Sequence, residues 1–350
     1  MNNKSKLILV GPINKGNVPM TGDTMKNQLF LKRFSEVFEK VIAVDTRQWK
    51  KRPWVILEML ARITLNINAK VVISANPQSS NSIIRNLRRL HLDKNLFYWV
   101  VGGSFHERVK DGDYDAENYK NVKAILVQGK SMVKTLNGCG LNNAIYVPNS
   151  KYIDFLPEKP TRKDDKTHFV FLSRLDEYKG CSDIIAAADI LNKGGYEGKF
   201  DITFYGKTTD DISYFDRFCK AIESHSEISY KGLLNLRDSK NYNELASYDV
   251  MLFPTYWMGE GFPGIVIDAY IASLPIIATD RNLNKDVVEE GKTGWIIPTH
   301  SPEALAEKMK HAIEHPEEVK TMAKNCHDMA MKYDSREVLS EENLKKIGLL

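Results

Sequence analysis

The chain contains no apolar run long enough to cross a membrane. Its longest apolar stretches are strand-sized, whereas a spanning helix needs about 20 such residues. The N-terminal MNNKSKLILVGP starts with charge, but its apolar segment is too short for a secretory signal. Cysteine is scarce. Cys139, Cys181, Cys219 and Cys326 are scattered without metal-ligand spacing, which predicts reduced thiols in a cytoplasmic protein. The net charge of +4 over 350 residues is too small to argue for nucleic acid, and no nucleic-acid-binding motif accompanies it. No short-period repeat is present. With 43% hydrophobic and 27% charged residues, the composition is that of a globular chain with room for two domains.

The stretch that organises the chain is 254–280, PTYWMGEGFPGIVIDAYIASLPIIATD. The apolar run 250–253 before it reads as a buried strand. A loop with Gly259, Gly261, Pro263 and Gly264 follows. Then Ile265, Val266, Ala269, Tyr270 and Ala272 recur at helical spacing, and 275–279 is the next strand. A glycine-rich turn between strand and helix suits an anion. Backbone can approach the ligand there, and the first N–H groups of the helix are unpaired. Two acids, Glu260 and Asp268, frame the turn. Carboxylates would repel phosphate but accept hydrogen bonds from vicinal sugar hydroxyls. Phosphate on the helix terminus with an acid on each side for two sugars describes a nucleotide-sugar.

Glu260 and Asp268 are separated by seven residues, and the stretch resembles the E-x7-E motif of retaining GT-B glycosyltransferases, the glycogen synthase-like, family 4 group that includes many bacterial polysaccharide enzymes. The resemblance implies that Glu260 contacts the donor sugar and Asp268 the nucleotide ribose, with Gly261, Phe262, Pro263, Gly264 and Ile265 forming the donor turn. The second acid is Asp here, where the family has Glu. SRLDEYKG, residues 173–180, is similar to the family's G-R-L-x-x-x-K-G segment, with Ser173 in place of Gly. Arg174 and Lys179 would then stabilise the charge that develops on a departing diphosphate. A single Arg or Lys is usually a solvated surface cation. Both together, about eighty residues before the Glu260 motif and in the family's order, argue against that. The later GKTGWIIP extends the similarity, and ILVQGKSMVKTL and YVPNS carry it more weakly. Before residue 100, where acceptor specificity is expected, the likeness is slight.

Strands are predicted at 7–10, 41–44, 71–74, 97–101, 124–127 and 144–147, mostly with helices between. A second series follows at 169–172, 202–205, 228–231, 250–253, 275–279 and 295–297. Alternation of strands and helices implies parallel sheets with right-handed crossovers. Ligands bind beyond the carboxyl ends of such strands, here the loops at 16–23, 76–80 and 102–106 and Gln128. A helix is expected to start at Asp23 or Thr24, with Leu29, Phe30, Phe34, Val37 and Phe38 as its apolar face. By resemblance Gly22 belongs to a glycine loop facing donor phosphates and acceptor, although the family's paired glycines are lacking. His106 matches a family histidine that faces the sugar; the plain alternative is a loop histidine. The base pocket is placed near residues 205–207, including Gly206, and 231–233. Gly129, Lys130 and Ser131 look like the end of a P-loop, but that pattern needs Gly at position 124, which is Ala124. An ordinary helix from Lys130 is expected instead.

Pro148, Pro157 and Pro160 with the charged run 162–166 mark a domain boundary. The expected architecture is α/β, GT-B, with two Rossmann-like doubly wound domains facing across a cleft. An acceptor domain spans 1–160, a nucleotide-sugar domain spans 161–334, and a last helix, 335–350, returns to the first domain. The resemblance implies a hexosyltransferase that moves sugar from a UDP- or GDP-sugar to a glycan or lipid-linked acceptor, with retention, in surface polysaccharide synthesis. It implies no metal and no cofactor beyond the co-substrate. No D-x-D triplet stands at a strand end, which agrees. RQWKKRPW, residues 47–54, and RNLRRLH, residues 85–91, suit peripheral contact with an anionic lipid surface at the inner membrane face, or ordinary solvated helix ends. Two other readings remain: a UDP-sugar 2-epimerase on the same fold, and a non-catalytic partner of an active transferase.

Overall fold

The computed structural model of the protein describes residues 6–14, 21–162, 164–208, 211–259, 261–281 and 283–350. They form two compact units. One holds the described residues up to Tyr152 together with Asp334–Leu350, and the other is Ile153–Tyr333.

The first unit contains β1 (Lys6–Gly11), β2 (Lys40–Asp45), β3 (Lys70–Ile73), β4 (Leu96–Trp99), β5 (Ala124–Val127) and β6 (Ala144–Tyr146). All pair in parallel in the order β2-β1-β3-β4-β5-β6. Between them run α1 (Gly22–Val37), α2 (Trp54–Leu65), α3 (Pro77–Arg89), α4 (Phe105–Lys110) and α5 (Lys130–Gly138). Central strands such as β1 are buried along their apolar length, as parallel strands covered on both faces must be. Phe30 and Phe34, one turn apart on α1, pack on Trp99 of β4, with ring centroids 4.3 and 6.3 Å away.

The second unit contains β7 (Thr167–Leu172), β8 (Phe200–Tyr205), β9 (Ile228–Tyr230), β10 (Val250–Phe253), β11 (Ile276–Thr279) and β12 (Gly294–Ile297). They too are all parallel, in the order β12-β11-β10-β7-β8-β9. Its helices are α6 (Cys181–Lys193), α7 (Ile212–Ile222), α8 (Tyr242–Ala246), α9 (Gly264–Ile271), α10 (Asn284–Val287), α11 (Pro302–Glu314) and α12 (Pro316–Ala330). The proline-marked segment before β7 is tied to this unit. Lys159 Nζ donates to the Tyr248 carbonyl at 2.6 Å, and Arg162 donates to the Ser247 carbonyl at 2.6 Å and pairs with Asp249.

All twelve strands expected from the apolar runs are present, within two residues at each end. Three local expectations change. The first helix begins at Gly22, because Thr21 rather than Asp23 or Thr24 caps it, its N–H donating to Thr24 Oγ1 at 2.9 Å. His106 lies on α4 rather than in a loop. The C-terminal segment is two short helices, α13 (Ser335–Val338) and α14 (Glu341–Lys346), not one. Ser340 starts a new helix by accepting the Asn343 N–H, and Arg33 of α1 occupies the Leu339 carbonyl at 3.1 Å. This segment belongs to the first unit, where Val338, Leu339, Leu344 and Leu349 join the core of Phe30, Phe34 and Trp99.

One pairing makes stability pH-dependent. His168 of β7 stands between Asp201, its register neighbour on β8, at 2.8 Å and Asp164 at 2.9 Å. The hydrogen bond to Asp201, with Asp164 assisting, holds the imidazole above its ordinary range against the cost of burial. A raised folded pKa stabilises fully below the unfolded value of about 6.5, and the gain is lost as pH rises through the folded value. His168→Gln is therefore expected to destabilise by roughly 0.5–1 kcal/mol at pH 6, the scale of a solvent-screened pair, and by little at pH 9. Urea unfolding at both pH values checks this. Equal losses at the two would exclude the ion pair as the cause.

Candidate active site

In the second sheet the strand order reverses between β7 and β10. The loops leaving these neighbours diverge to opposite sides, and doubly wound sheets bind ligands in the crevice between such loops. The loop after β7 carries Arg174 and Lys179, and the loop after β10 carries the glycine turn. Sequence places them about eighty residues apart, and the topology makes their strands adjacent.

The two loops are bonded to each other. The Tyr256 N–H donates to the Tyr178 carbonyl at 2.9 Å, and Thr255 Oγ1 donates to the same oxygen at 3.3 Å. Tyr178 also packs edge-on against Trp257, with centroids 5.5 Å apart. Lys179 ends a short 3-10 turn capped by Asp176, whose carboxylate accepts the Tyr178 N–H at 3.0 Å. The chain then reverses at Gly180, with φ +77°. A Cβ there would lie 2.4 Å from the Pro254 carbonyl oxygen, so only glycine permits this approach. The result fixes Lys179 at 7% exposure beside the exit of β10. Arg174 is exposed, with its guanidinium 6.0 Å from the Trp257 ring centre, a cation–π distance. Two cations thus stand in the loop packed against the β10 exit segment 254–257, one buried and one propped on an indole.

Gly206, at the end of β8, has a similar constraint. A Cβ would lie 1.6 Å from the Ser173 carbonyl oxygen, so glycine here lets the β8 exit lie against the Arg174 loop. Tyr205 beside it is buried, and its hydroxyl donates to Glu244 at 2.6 Å. Lys207 and Leu233 are exposed.

Glu260 lies outside the described residues. Of the turn that follows it, Phe262 is buried, its ring packed against Tyr333 with centroids 5.6 Å apart. Pro263 precedes Gly264, the first residue of α9, and Gly264 and Ile265 are part-exposed. Their N–H groups begin the helix, where the dipole favours an anion.

Asp268 lies inside α9 at 5% exposure, and the Tyr242 hydroxyl of α8 donates to its Oδ1. Burial and the adjacent carboxylate push the Tyr242 phenol far up, so it stays a donor. Tyr242 thus positions the acid expected to hold ribose. Neither Tyr242 nor Trp257 was legible as a site residue. Tyr242 reads as an apolar helix position, and Trp257 as one aromatic in a loop.

His106 and Gly22 belong to the first unit. Burial holds the His106 imidazole below the ordinary histidine range, and its Nδ1 is buried without a hydrogen-bond partner among the described residues. Gly22 opens α1, and Lys26 one turn later donates to the Val100 carbonyl at 3.4 Å. This brings α1 to the edge where Gly102, Gly103 and His106 follow β4. A Cβ at Gly22 would meet nothing within 4 Å, so space does not require glycine there. Residues 15–20 of that loop lie outside the described residues. The P-loop-like residues behave as an ordinary helix start: α5 begins at Lys130 directly after Gly129. Among the described residues no three His, Cys, Asp or Glu side chains are grouped to hold a metal, and no helix is long and apolar enough to cross a membrane.

The family described as Glycosyl transferases group 1 matches residues 153–329, just over half of the chain. A curated relative, the capsular polysaccharide biosynthesis glycosyltransferase CapM of Staphylococcus aureus, is 24% identical over 210 residues, 59% of this chain and 53% of that protein. The chain thus spans about half the length of this relative. Among solved structures, Anabaena Alr3699/HepE in complex with UDP superposes with a TM-score of 0.73 at 12% identity, covering 99% of this chain and 100% of that one. The apo form of WaaB, a lipopolysaccharide outer core galactosyltransferase, gives 0.71 at 13% identity over 99% and 100%. At such identities these likenesses carry the fold, and that fold is GT-B.

Proposed function

Because the chain belongs to the glycosyl transferases group 1 family, we propose that it transfers a sugar from a nucleotide-sugar to a hydroxyl of a glycan or lipid-linked acceptor, with retention, in surface polysaccharide synthesis. The observation that supports this reading is the pair of bonded loops at the β7/β10 switch point, one carrying Lys179 and Arg174 and the other, through 254–257, leading into the turn before α9. Diphosphate lies against this turn and the two cations. As the glycosidic bond breaks, the leaving phosphate gains negative charge, and fixed cations stabilise it without reorganisation. They supply the charge that a divalent metal would otherwise bring. The leaving phosphate takes the acceptor proton on the same face, so no protein base is required. Glu260, by its place in the sequence, positions the sugar. Asp268, held by Tyr242, receives ribose, and the neutral His106 imidazole addresses the outer sugar hydroxyls. The sugar is a hexose carried on UDP or GDP. The chain works at the inner membrane face, with residues 47–54 in peripheral contact. The printed names of CapM and WaaB, a capsular and a lipopolysaccharide enzyme, support the polysaccharide setting.

Calorimetric titration with UDP, GDP and ADP tests the donor site. One nucleotide is expected to bind preferentially, and Arg174→Ala to weaken it by about tenfold, the loss of one charge-assisted phosphate contact. No binding of any nucleotide by folded protein would remove the transferase reading and favour a non-catalytic partner.

A further inference from the structure

The first unit holds a cavity of about 780 Å³, within the roughly 300–1,000 Å³ of small-ligand sites. One end lies at the carboxyl edge of the sheet. Pro12 follows β1, Thr46 follows β2 and Asn76 follows β3, and all three line it. The strand order turns between β1 and β3, so the cavity opens beside this unit's own switch point. From there it continues between α2 and α3, lined by Ile56, Met59, Leu60, Ile83 and Leu87.

The chemistry changes along its length. Arg47, Lys50 and Lys51, in the segment joining β2 to α2, line the sheet end. Arg47 is held by Asn14 and stands 4.0 Å from Asp45. Lys50 and Lys51 are exposed and form no ion pair among the described residues. Among the described residues Asp23 is the one acid in the lining, and its Oδ1 accepts the Thr24 N–H at 2.9 Å at the start of α1. The stretch between α2 and α3 is mainly apolar, with Ser82, Asn86 and Arg89 also in the lining. Trp54 and Leu57 of α2 are exposed and Ile56, in the lining, is part-open to solvent, an apolar surface next to the cavity.

A concave site that is cationic at the sheet edge and mainly apolar beyond it matches an anionic head joined to a hydrocarbon chain. We propose that this cavity binds a single-chain amphiphile, an alkyl or prenyl phosphate or diphosphate. The head sits at Arg47, Lys50 and Lys51, and the chain lies between α2 and α3. Calling this molecule the lipid anchor of a glycan acceptor, whose sugar supplies the hydroxyl, rests on the transferase reading above; the binding itself does not.

Decyl phosphate, kept below its micelle concentration, is the probe, followed by calorimetry and by the fluorescence of Trp49, which lines the cavity. Saturable one-to-one binding is expected. Octyl phosphate, two methylenes shorter, should bind roughly tenfold more weakly. Lys50→Glu with Lys51→Glu, both at exposed positions, should weaken decyl phosphate at least tenfold without changing the melting temperature. Ile83→Glu should do the same through the chain and leave nucleotide binding intact. Inorganic phosphate binding as tightly as decyl phosphate would reduce the site to an anion patch and overturn the proposal. Binding to phosphatidylglycerol vesicles without saturable decyl phosphate binding would overturn it in favour of surface docking. Loss of nucleotide binding sinks the transferase reading alone, because the amphiphile titration contains no donor.

Discussion

Lys179→Ala is expected to lower kcat/KM by about 10²–10³, the usual loss when one preorganised charge aimed at a developing anion is removed. The fall should lie mainly in kcat, because the leaving phosphate carries more charge in the transition state than in the bound donor. Burial sets the size of the effect. Lys179 is 7% exposed, so water screens its charge less than that of exposed Arg174. The fold should survive. The Tyr256 N–H to Tyr178 carbonyl bond that joins the two loops and the Asp176 cap of the turn are made by other residues and stay in place. Steady-state release of nucleotide from the donor identified by calorimetry measures this, with thermal melting as the control for folding. Turnover within about threefold of the parent would remove Lys179 from the diphosphate site.

Lys179 also shows what the sequence makes legible. Its place in SRLDEYKG and the apolar strand before it suffice to put it at the carboxyl edge of a parallel sheet. Most strands were legible because buried parallel strands read as near-continuous apolar runs, although the edge strand β9 is buried only at Ile228 and the apolar start of α2 is a partly exposed helix. Partnerships between distant side chains were not. Tyr242 meets Asp268 across 26 residues, and Trp257 meets Arg174 across 83. Each pairing depends on strand order, which a one-dimensional pattern does not contain. The break at Leu339 was hidden differently. Ser335–Leu350 has helical composition throughout, and the new start at Ser340 depends on a cap and on Arg33 from another element. The cavity by α2 was half legible. The basic segments 47–54 and 85–91 stood out, but only the fold shows Lys50, Lys51 and Arg89 lining one space.

Gly180→Ala should disable the same site through the backbone. Two costs coincide. Alanine at φ +77° loses roughly 1–2 kcal/mol in the left-handed region, and its Cβ would meet the Pro254 carbonyl oxygen at 2.4 Å and the Pro254 ring at 2.8 Å. The first cost can be borne in place. The second requires the β7 and β10 loops to part, which displaces Lys179 and the turn opening α9 together. A shift of about 1 Å at a reacting centre can cost 10²-fold, so kcat/KM is expected to fall about a hundredfold and the melting temperature by several degrees. Gly195→Ala separates the two costs. Gly195 has φ +84°, and a Cβ there meets nothing within 4 Å. It follows α6, on the approach to β8 and away from the switch point. This variant should show a similar loss from backbone conformation with unchanged turnover. If Gly180→Ala matches Gly195→Ala in turnover as well as in melting, close approach to Pro254 does not hold the site together, and the two loops act independently.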